Sequence, residues 1–309
     1  MSKNISTTPP VSCTLCPRRC GALRNERCGE GFCHMPDRLV VARHFWEEPC
    51  ISGTRGSGTV FFSGCTLKCC FCQNYPISAE GLGKEITIEH LAEIFLDLQK
   101  QGAHNINLVT PGQWRPWITA ALDLARAQGL HLPIVCNTGG YETVENVKAW
   151  RGYIDIWLAD LKYVSSSLSA ELSSAPDYFA QARPAIEAMM AQAGHPVFDS
   201  EGILQKGVIL RHLALPGHVA DSKAVLRPHR RQFCRPRPDG RMERGRPRLL
   251  HPQCHEPVHP LLQGRRARHR AAHHHLRVPP GGQLCHRSGA DRRLYAAEEQ
   301  RPGGVYTQL

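Results

Sequence analysis

Short apolar, β-branched segments alternate with amphipathic segments from Thr59 to Leu215, and this alternation constrains the fold more than any other feature of the chain. Parallel strands need long crossover connections, and helices usually provide them. The pattern therefore predicts an α/β fold of repeated strand–helix units. The five predicted strands are Thr59–Ser63, Asn105–Val109, Pro133–Asn137, Ile154–Asp160 and Gly207–Leu213.

The connecting segments have the spacing of helices with one apolar face. In the first of them, Leu91, Phe95 and Leu98 recur on the same side of a 3.6-residue period. Gly102 and Gly129 stand where helices are expected to end. The predicted helices are Ile88–Gln101, Trp117–Gln128, Thr143–Trp150 and Tyr178–Gln192.

Three cysteines follow the first predicted strand at the spacing C-x3-C-x2-C: Cys65, Cys69 and Cys72. A [4Fe–4S] cluster usually takes four thiolates, so three on one loop would leave one iron open to a substrate or cofactor. Structural zinc sites instead usually pair one C-x2-C with a second one or with histidines. We interpret the neighbouring Cys70 as a bystander, and the loop as an iron–sulfur site.

This loop resembles the signature of the radical S-adenosylmethionine (SAM) superfamily, C-x3-C-x-Φ-C with an aromatic residue at Φ. Cys65, Cys69, Phe71 and Cys72 match it position by position. The wider segment GCTLKCCFCQNYPIS is similar to the group around pyruvate formate-lyase activating enzyme. The resemblance covers residues 13–226 and implies a partial (β/α)6 TIM-like barrel, whose last unit would be missing or disordered here.

The same resemblance implies a function. The cofactors would be a [4Fe–4S] cluster and SAM, and the reaction would be reductive cleavage of SAM to a 5′-deoxyadenosyl radical that abstracts hydrogen. The substrate would be a small molecule or a protein, such as a glycine of a glycyl-radical enzyme. A flavodoxin or ferredoxin would supply the electron, and neither a membrane nor a nucleic acid is expected as a partner.

Polar residues follow the predicted strands at the carboxyl ends, where α/β barrels gather functional groups. By resemblance, Asp160 and Lys162 match an Asp-Leu-Lys element that lines the SAM and substrate pocket, and Arg211, with its neighbour His212, would reach a substrate carboxylate or backbone. Thr110 stands where many relatives have a Gly-Gly-Glu element that contacts SAM, and this chain departs from that pattern. The implied cofactor-binding residues are Phe71, Thr110, Asn137, Thr138 and Asp160, and the implied catalytic residues are Asp160, Lys162 and Arg211.

Two simpler interpretations of these residues stay open. Asp160 and Lys162 form a solvated pair at the sheet edge in the first, and Asn137 to Gly140 form an ordinary turn in the second.

A second group of cysteines lies near the N-terminus, beginning with a C-x2-C-x3-C spacing. Set among Gly, Arg and Pro, these residues cannot build a core and are expected to bind a metal. By the resemblance the ligands are Cys13, Cys16, Cys20 and Cys33, while Cys28 is extra. Structural zinc and an auxiliary iron–sulfur cluster both fit the spacing, and redox-active thiols are the third interpretation. Cys50 and Cys136 are expected to be buried as small apolar residues.

The net charge of +11 comes from the C-terminal part of the chain. Residues 227–309 contain 18 Arg, no Lys and 6 acidic residues, for a net charge of +12, and have no sustained strand or helix period. Because Arg, Pro, Gly and Ala have GC-rich codons, we interpret the sequence after about Leu226 as out of frame. The alternative is an arginine-rich disordered tail that binds phosphates.

These observations divide the chain into a Cys-rich segment (1–50), a core (51–226) and a tail (227–309). The first residues, MSKNISTTPP, lack the apolar core of a signal peptide, and 14 cysteines favour a reducing compartment, so we expect the cytoplasm. Two other functions remain: a zinc-dependent nucleic-acid-binding protein and an inactive truncated enzyme. The metal at the C-x3-C-x2-C loop distinguishes the first of these from a radical SAM enzyme.

Overall fold

The computed structural model describes residues 12–24, 30–47, 51, 56–233 and 307–308. The chain divides into two compact units, and the described residues all belong to the first, Met1–His251 with Tyr306–Leu309. The predicted sixth strand–helix unit, Cys28 and Cys50 lie outside the described residues.

The described residues form one sheet of nine strands. The strands are β1 (Val40–Glu47), β2 (Ser57–Phe62), β3 (Lys84–Glu85), β4 (Ile106–Val109), β5 (Ile134–Thr138), β6 (Ile156–Asp160), β7 (Val197–Phe198), β8 (Leu204–Arg211) and β9 (Thr307–Gln308). The helices are α1 (Tyr75–Ser78), α2 (Ile88–Lys100), α3 (Arg115–Ala127), α4 (Val144–Ala149), α5 (Ser166–Ser173), α6 (Tyr178–Ala193) and α7 (Val219–Phe233), with a 3-10 turn at Gly112–Trp114.

The centre of the sheet is parallel, which confirms the predicted α/β fold. β2, β4, β5, β6 and β8 pair in parallel, each beside the strand before it in this series. This order has no reversal, as in a barrel and unlike a doubly wound sheet. Among the described strands, however, β3 and β7 end the hydrogen-bonded path and do not pair with each other. The partial barrel therefore stays a prediction.

The parallel strands are buried on both faces because helices cover them. All six residues of β2 and all five of β5 are buried. Against β2 and β4, α2 places Leu91, Phe95 and Leu98, each at most 1% exposed. Burying a side chain of this size contributes roughly 1.5–3 kcal/mol. In the described part of the chain, no helix is both long and apolar enough to cross a bilayer.

The elements that were not predicted from the sequence include β1, α5 and α7. β1 runs antiparallel to β2, where it adds an edge to the parallel strands. The serine-rich α5 has little apolar periodicity and is instead capped by side chains, as Ser165 accepts a hydrogen bond from Leu168 N. α7 continues past Leu226 to Phe233, so regular structure extends into the segment where we expected none.

Candidate metal centre

The cysteine loop begins directly after β2, at the carboxyl end of the parallel strands. Gly64 has φ 78°, and a Cβ atom there would overlap the side chain of Met35, so this position requires glycine. The loop is fixed from two sides: Gly64 N donates to Ile77 O at 2.9 Å, and the indole of Trp114 donates to Ser63 O at 2.8 Å.

The middle of the loop is held by the last turn of α5. Lys68 N donates to Ser173 O at 3.2 Å, and Cys70 N donates to Leu172 O at 3.0 Å. Helix C-termini leave carbonyl groups without partners inside the helix, and here the loop supplies the missing donors. Cys69, which lies between the two donors, is thereby held in a defined position.

The three cysteine thiols of the loop lie in one neighbourhood. Burial, with a smaller contribution from the nearby thiols of Cys69 and Cys72, raises the pKa of Cys65 to about 12. Burial likewise raises the pKa of Cys69. Without a metal the thiols of Cys65 and Cys69 therefore stay protonated, and a metal that binds their thiolates would release the protons.

Each of the three sulfur atoms also has a polar neighbour. Leu67 N donates to Cys65 Sγ at 3.4 Å, Ser173 Oγ donates to Cys69 Sγ at 3.0 Å, and Cys72 Sγ lies 3.2 Å from the hydroxyl of Ser78. Hydrogen bonds of this kind orient metal ligands and tune their basicity. Cys70, by contrast, is exposed, in agreement with its interpretation as a bystander.

The donor set of the loop fits an iron–sulfur cluster better than a single metal ion. Tetrahedral zinc needs four protein ligands in a structural site. In the described residues, no three Cys, His, Asp or Glu side chains converge closely enough to hold one ion. Three soft thiolates on one partly buried loop are instead the ligands that iron–sulfur clusters use.

Four of the predicted site residues form one hydrogen-bonded network at the same end of the sheet. Asp160, at the end of β6, accepts from Lys162 Nζ at 2.5 Å and from Arg211 Nε at 2.8 Å. Arg211 also donates through Nη2 to Asn137 Oδ1 at 2.7 Å. The side chains of Lys162 and Asp160 are only 14% and 18% exposed, so they are not a solvated edge pair.

The charges in this network are fixed by its geometry. Burial alone would raise the pKa of Asp160, but Arg211 and Lys162 bring it below its ordinary value. The carboxylate in turn raises the pKa of Lys162 against the opposing effect of burial. One carboxylate between two cations leaves one net positive charge. The charge acts on the loop, since Lys162 lowers the otherwise raised pKa of Cys69.

Gly140 and the buried Tyr178 pack against the backbone of Asp160, and Tyr178 also contacts the backbone of Lys162. Gly140 has φ 79°, and a Cβ atom there would overlap the carbonyl oxygen of Asp160. The hydroxyl of Tyr178 lies 2.8 Å from Gly139 O and 2.9 Å from Asp160 O, and accepts from Lys162 N at 3.0 Å. The segment after β5 is thus a turn, and one that positions Asp160. Sequence reasoning placed Tyr178 only at a helix start and missed this contact.

Thr138 lies apart from the network because neighbouring strand residues point to opposite faces. Its hydroxyl donates to Glu142 Oε1 at 2.9 Å, while Asn146 donates to Glu142 Oε2 at 3.1 Å. Burial raises the pKa of Glu142 to about 7. No sequence pattern singled out Glu142. The proposed contact between Thr138 and SAM stays a prediction.

Thr110, which directly follows β4, has a strained backbone conformation. Its φ of 57° lies in the left-handed region, which β-branched residues rarely occupy. Its backbone N donates to Asn137 O at 2.9 Å, which links it to the neighbouring strand end. Such strain concentrates at functional sites. Phe71, the remaining predicted cofactor-binding residue, is half-buried against the core.

The N-terminal segment packs directly on the cysteine loop. Arg18 donates through Nε to Thr66 O at 2.9 Å and lies 3.7 Å above the ring of Phe32. Arg24, which is 8% exposed, donates to Gln113 O at 2.6 Å. Gln113 in turn donates to Gly64 O at 2.9 Å. The sequence did not predict that Arg18 and Arg24 bind this segment to the rest of the protein, because the segment was interpreted only through its metal-ligating cysteines.

The N-terminal cysteines share one neighbourhood, although their metal stays a prediction. Cys13 and Cys16 are buried, Cys33 is half-buried and Cys20 is exposed. Burial raises the pKa of Cys16 to about 12, and Cys33 and Cys13 contribute to the increase. As stated above, no three ligands in the described residues converge on a single ion. Cys136 is 1% exposed within β5, as expected for a small apolar residue.

Two comparisons with known proteins bear on this site. Residues 52–171 match the family model described as a 4Fe-4S single cluster domain. An uncharacterized protein of Methanocaldococcus jannaschii is 28% identical over 217 residues, which are 67% of this chain and 58% of the relative. The aligned part therefore spans less than two thirds of that relative's length. The central part of the chain, including the cysteine loop and three of the four network residues, is thus similar to 4Fe-4S single cluster domains.

Proposed function

We propose that this chain is an iron–sulfur enzyme of the radical SAM type. The observation that carries the proposal is the juxtaposition of two groups at one end of the sheet. Three partly buried cysteines lie on the loop after β2, and the neighbouring polar network carries one net positive charge, which acts on Cys69 through Lys162. The match to 4Fe-4S single cluster domains supports the first half of this statement.

In this proposal Cys65, Cys69 and Cys72 hold a [4Fe–4S] cluster with one open iron. When bound, the cluster supplies an electron to SAM, whose sulfonium is cleaved to methionine and a 5′-deoxyadenosyl radical. Burial of Cys65 and Cys69 keeps water from the thiolates. An external flavodoxin or ferredoxin would provide the electron for each cleavage.

The network residues would bind and orient the anionic parts of SAM or of the substrate. Asp160 holds Lys162 and Arg211 in place, and both cations remain charged beside it. Arg211 presents a planar fork that matches carboxylates, whereas Lys162 is a compact point charge. A carboxylate bound next to them would neutralise the net positive charge of the network. Asn137 Oδ1 accepts a second hydrogen bond from the Arg211 guanidinium, at Nη2.

The substrate is proposed on the resemblance alone. The similarity of residues 64–78 to pyruvate formate-lyase activating enzyme favours hydrogen abstraction from a glycine of a partner protein. A small-molecule substrate fits the same chemistry. In both cases the substrate would lose one hydrogen atom, and the co-product would be 5′-deoxyadenosine.

Anaerobic reconstitution with iron and sulfide tests the cluster and its open iron together. We expect about four iron and four sulfide per loop and an electron paramagnetic resonance (EPR) spectrum of the reduced protein that changes when SAM is added. Cys69→Ala should lose this cluster, whereas Cys70→Ala, which removes an exposed thiol on the same loop, should keep it. Iron bound equally by both variants, or zinc at this loop, would refute the proposal.

A further inference from the structure

The sulfur of Cys69 accepts a hydrogen bond from the last residue of α5. Ser173 Oγ lies 3.0 Å from Cys69 Sγ, and Ser173 is fully buried. Water therefore does not compete for the hydroxyl. Among the described residues, Ser173 is the one whose hydroxyl donates to a sulfur of the three cysteines. In the contact between Cys72 and Ser78, either atom could be the donor.

The direction of this contact follows from counting protons. A thiolate has no proton to donate, so a metal-bound Cys69 is an acceptor only. Ser173 has a single hydroxyl proton, which it gives to the sulfur. Its oxygen lies 2.9 Å from the hydroxyl of Tyr163, which must then be the donor. Tyr163 is 1% exposed. The result is a buried chain from Tyr163 through Ser173 to Cys69.

Two backbone hydrogen bonds hold Ser173 next to the sulfur of Cys69. The residues on both sides of Cys69 are bonded to the same helical turn, through Lys68 N to Ser173 O and Cys70 N to Leu172 O. These two hydrogen bonds connect the loop to the C-terminal end of the helix. A hydroxyl held this way is pre-organised and adds little reorganisation when the charge on the sulfur changes.

We propose that Ser173 sets the reduction potential of the cluster that Cys69 holds. This inference rests on the proposed function. A hydrogen bond donated to a ligand sulfur stabilises negative charge on it, and reduction by one electron adds negative charge to the cluster and its ligands. The Ser173 hydroxyl therefore favours the reduced state. Tyr163 strengthens the effect because a hydroxyl that accepts a hydrogen bond is a better donor.

The test is a potentiometric titration of the reconstituted protein followed by EPR, with three variants. Ser173→Ala removes the donor and should make reduction about tenfold less favourable, which is about 59 mV for one electron. Tyr163→Phe should lower the potential in the same direction by less. The control is Ser169→Ala on the same helix, because Ser169 is 1% exposed and donates only to Ser166 O.

Each outcome decides the question. A potential that falls in Ser173→Ala and not in Ser169→Ala supports the role of Ser173, and equal potentials in the two variants refute it. If Ser173→Ala fails to hold a cluster, Tyr163→Phe decides, and an unchanged potential there refutes the proposal. If the wild-type chain assembles no cluster, the proposed function itself fails, and iron analysis reveals this before any potential is measured.

Discussion

Replacing Asp160 by Asn should destabilise the protein strongly, because it removes the carboxylate that faces Lys162 and Arg211 at the sheet edge. Asp160 accepts charged hydrogen bonds from Lys162 and Arg211, whose side chains are 14% and 29% exposed. The amide of Asn keeps the size of the side chain and removes its charge. The perturbation therefore tests the electrostatic part of the network and leaves its packing in place.

The expected magnitude follows from the burial of the pair. Removing one partner of a fully buried ion pair costs about 3–5 kcal/mol, since the other charge stays behind unpaired. Lys162 and Arg211 retain some contact with solvent, which screens part of this cost. We therefore expect a loss of about 2–3 kcal/mol in the free energy of unfolding.

The assay is urea unfolding of the metal-free protein, followed by circular dichroism, at pH 7 and at pH 3. Asp97→Asn is the matched control, because Asp97 pairs with Lys100 on the surface and both side chains are more than 60% exposed. It should leave stability nearly unchanged. Equal midpoints for Asp160→Asn and Asp97→Asn at pH 7 would refute our account of the network.

The pH dependence of stability tests the direction of the Asp160 pKa shift independently. The pKa of Asp160 is lowered in the folded protein, so its stabilising effect is present above the ordinary carboxyl pKa near 4 and is lost as the pH falls through the lowered value. The stability difference between wild type and Asp160→Asn should therefore shrink from pH 7 to pH 3. A stability difference that grows as the pH falls would contradict a lowered pKa for Asp160.

Two further predictions concern the surroundings of the network. Gly140→Ala should lower the free energy of unfolding by about 2 kcal/mol or more, because its Cβ would overlap Asp160 O and its φ is positive. The control is Gly129→Ala, which has no neighbour within 4 Å and should add only backbone strain. Thermal unfolding of both variants measures the difference. Glu142→Gln should stabilise the protein at pH 8 and change little at pH 5. The raised pKa of about 7 means that wild type loses stability as the pH rises through it, which melting temperatures at both pH values would reveal.

The sequence predicted the parallel units well because each strand is short, β-branched and followed by a helix with one apolar face. It also placed Asn137, Asp160, Lys162 and Arg211 at strand ends, and strand ends of a parallel sheet meet at one edge. Their hydrogen bonds agree with that placement. What could not be predicted is which face each residue takes where a strand ends. Thr138 follows Asn137 directly and yet contacts Glu142.

Other features depend on contacts between distant segments and leave no local pattern. Ser173 is one of several serines in a polar stretch, and only the packing of α5 against the loop brings it to Cys69. Arg24 reaches Gln113 across 89 positions of sequence. The C-terminal tail predicted to be out of frame lies mostly outside the described residues, apart from the end of α7 and β9.

The formation of 5′-deoxyadenosine tests the central claim most directly. The reconstituted wild-type protein, given SAM and dithionite without oxygen, should release 5′-deoxyadenosine and methionine in equal amounts. Cys69→Ala should release neither, and Cys70→Ala should match wild type. A wild-type protein that holds a complete [4Fe–4S] cluster and yields no 5′-deoxyadenosine beyond the Cys69→Ala background would contradict the account.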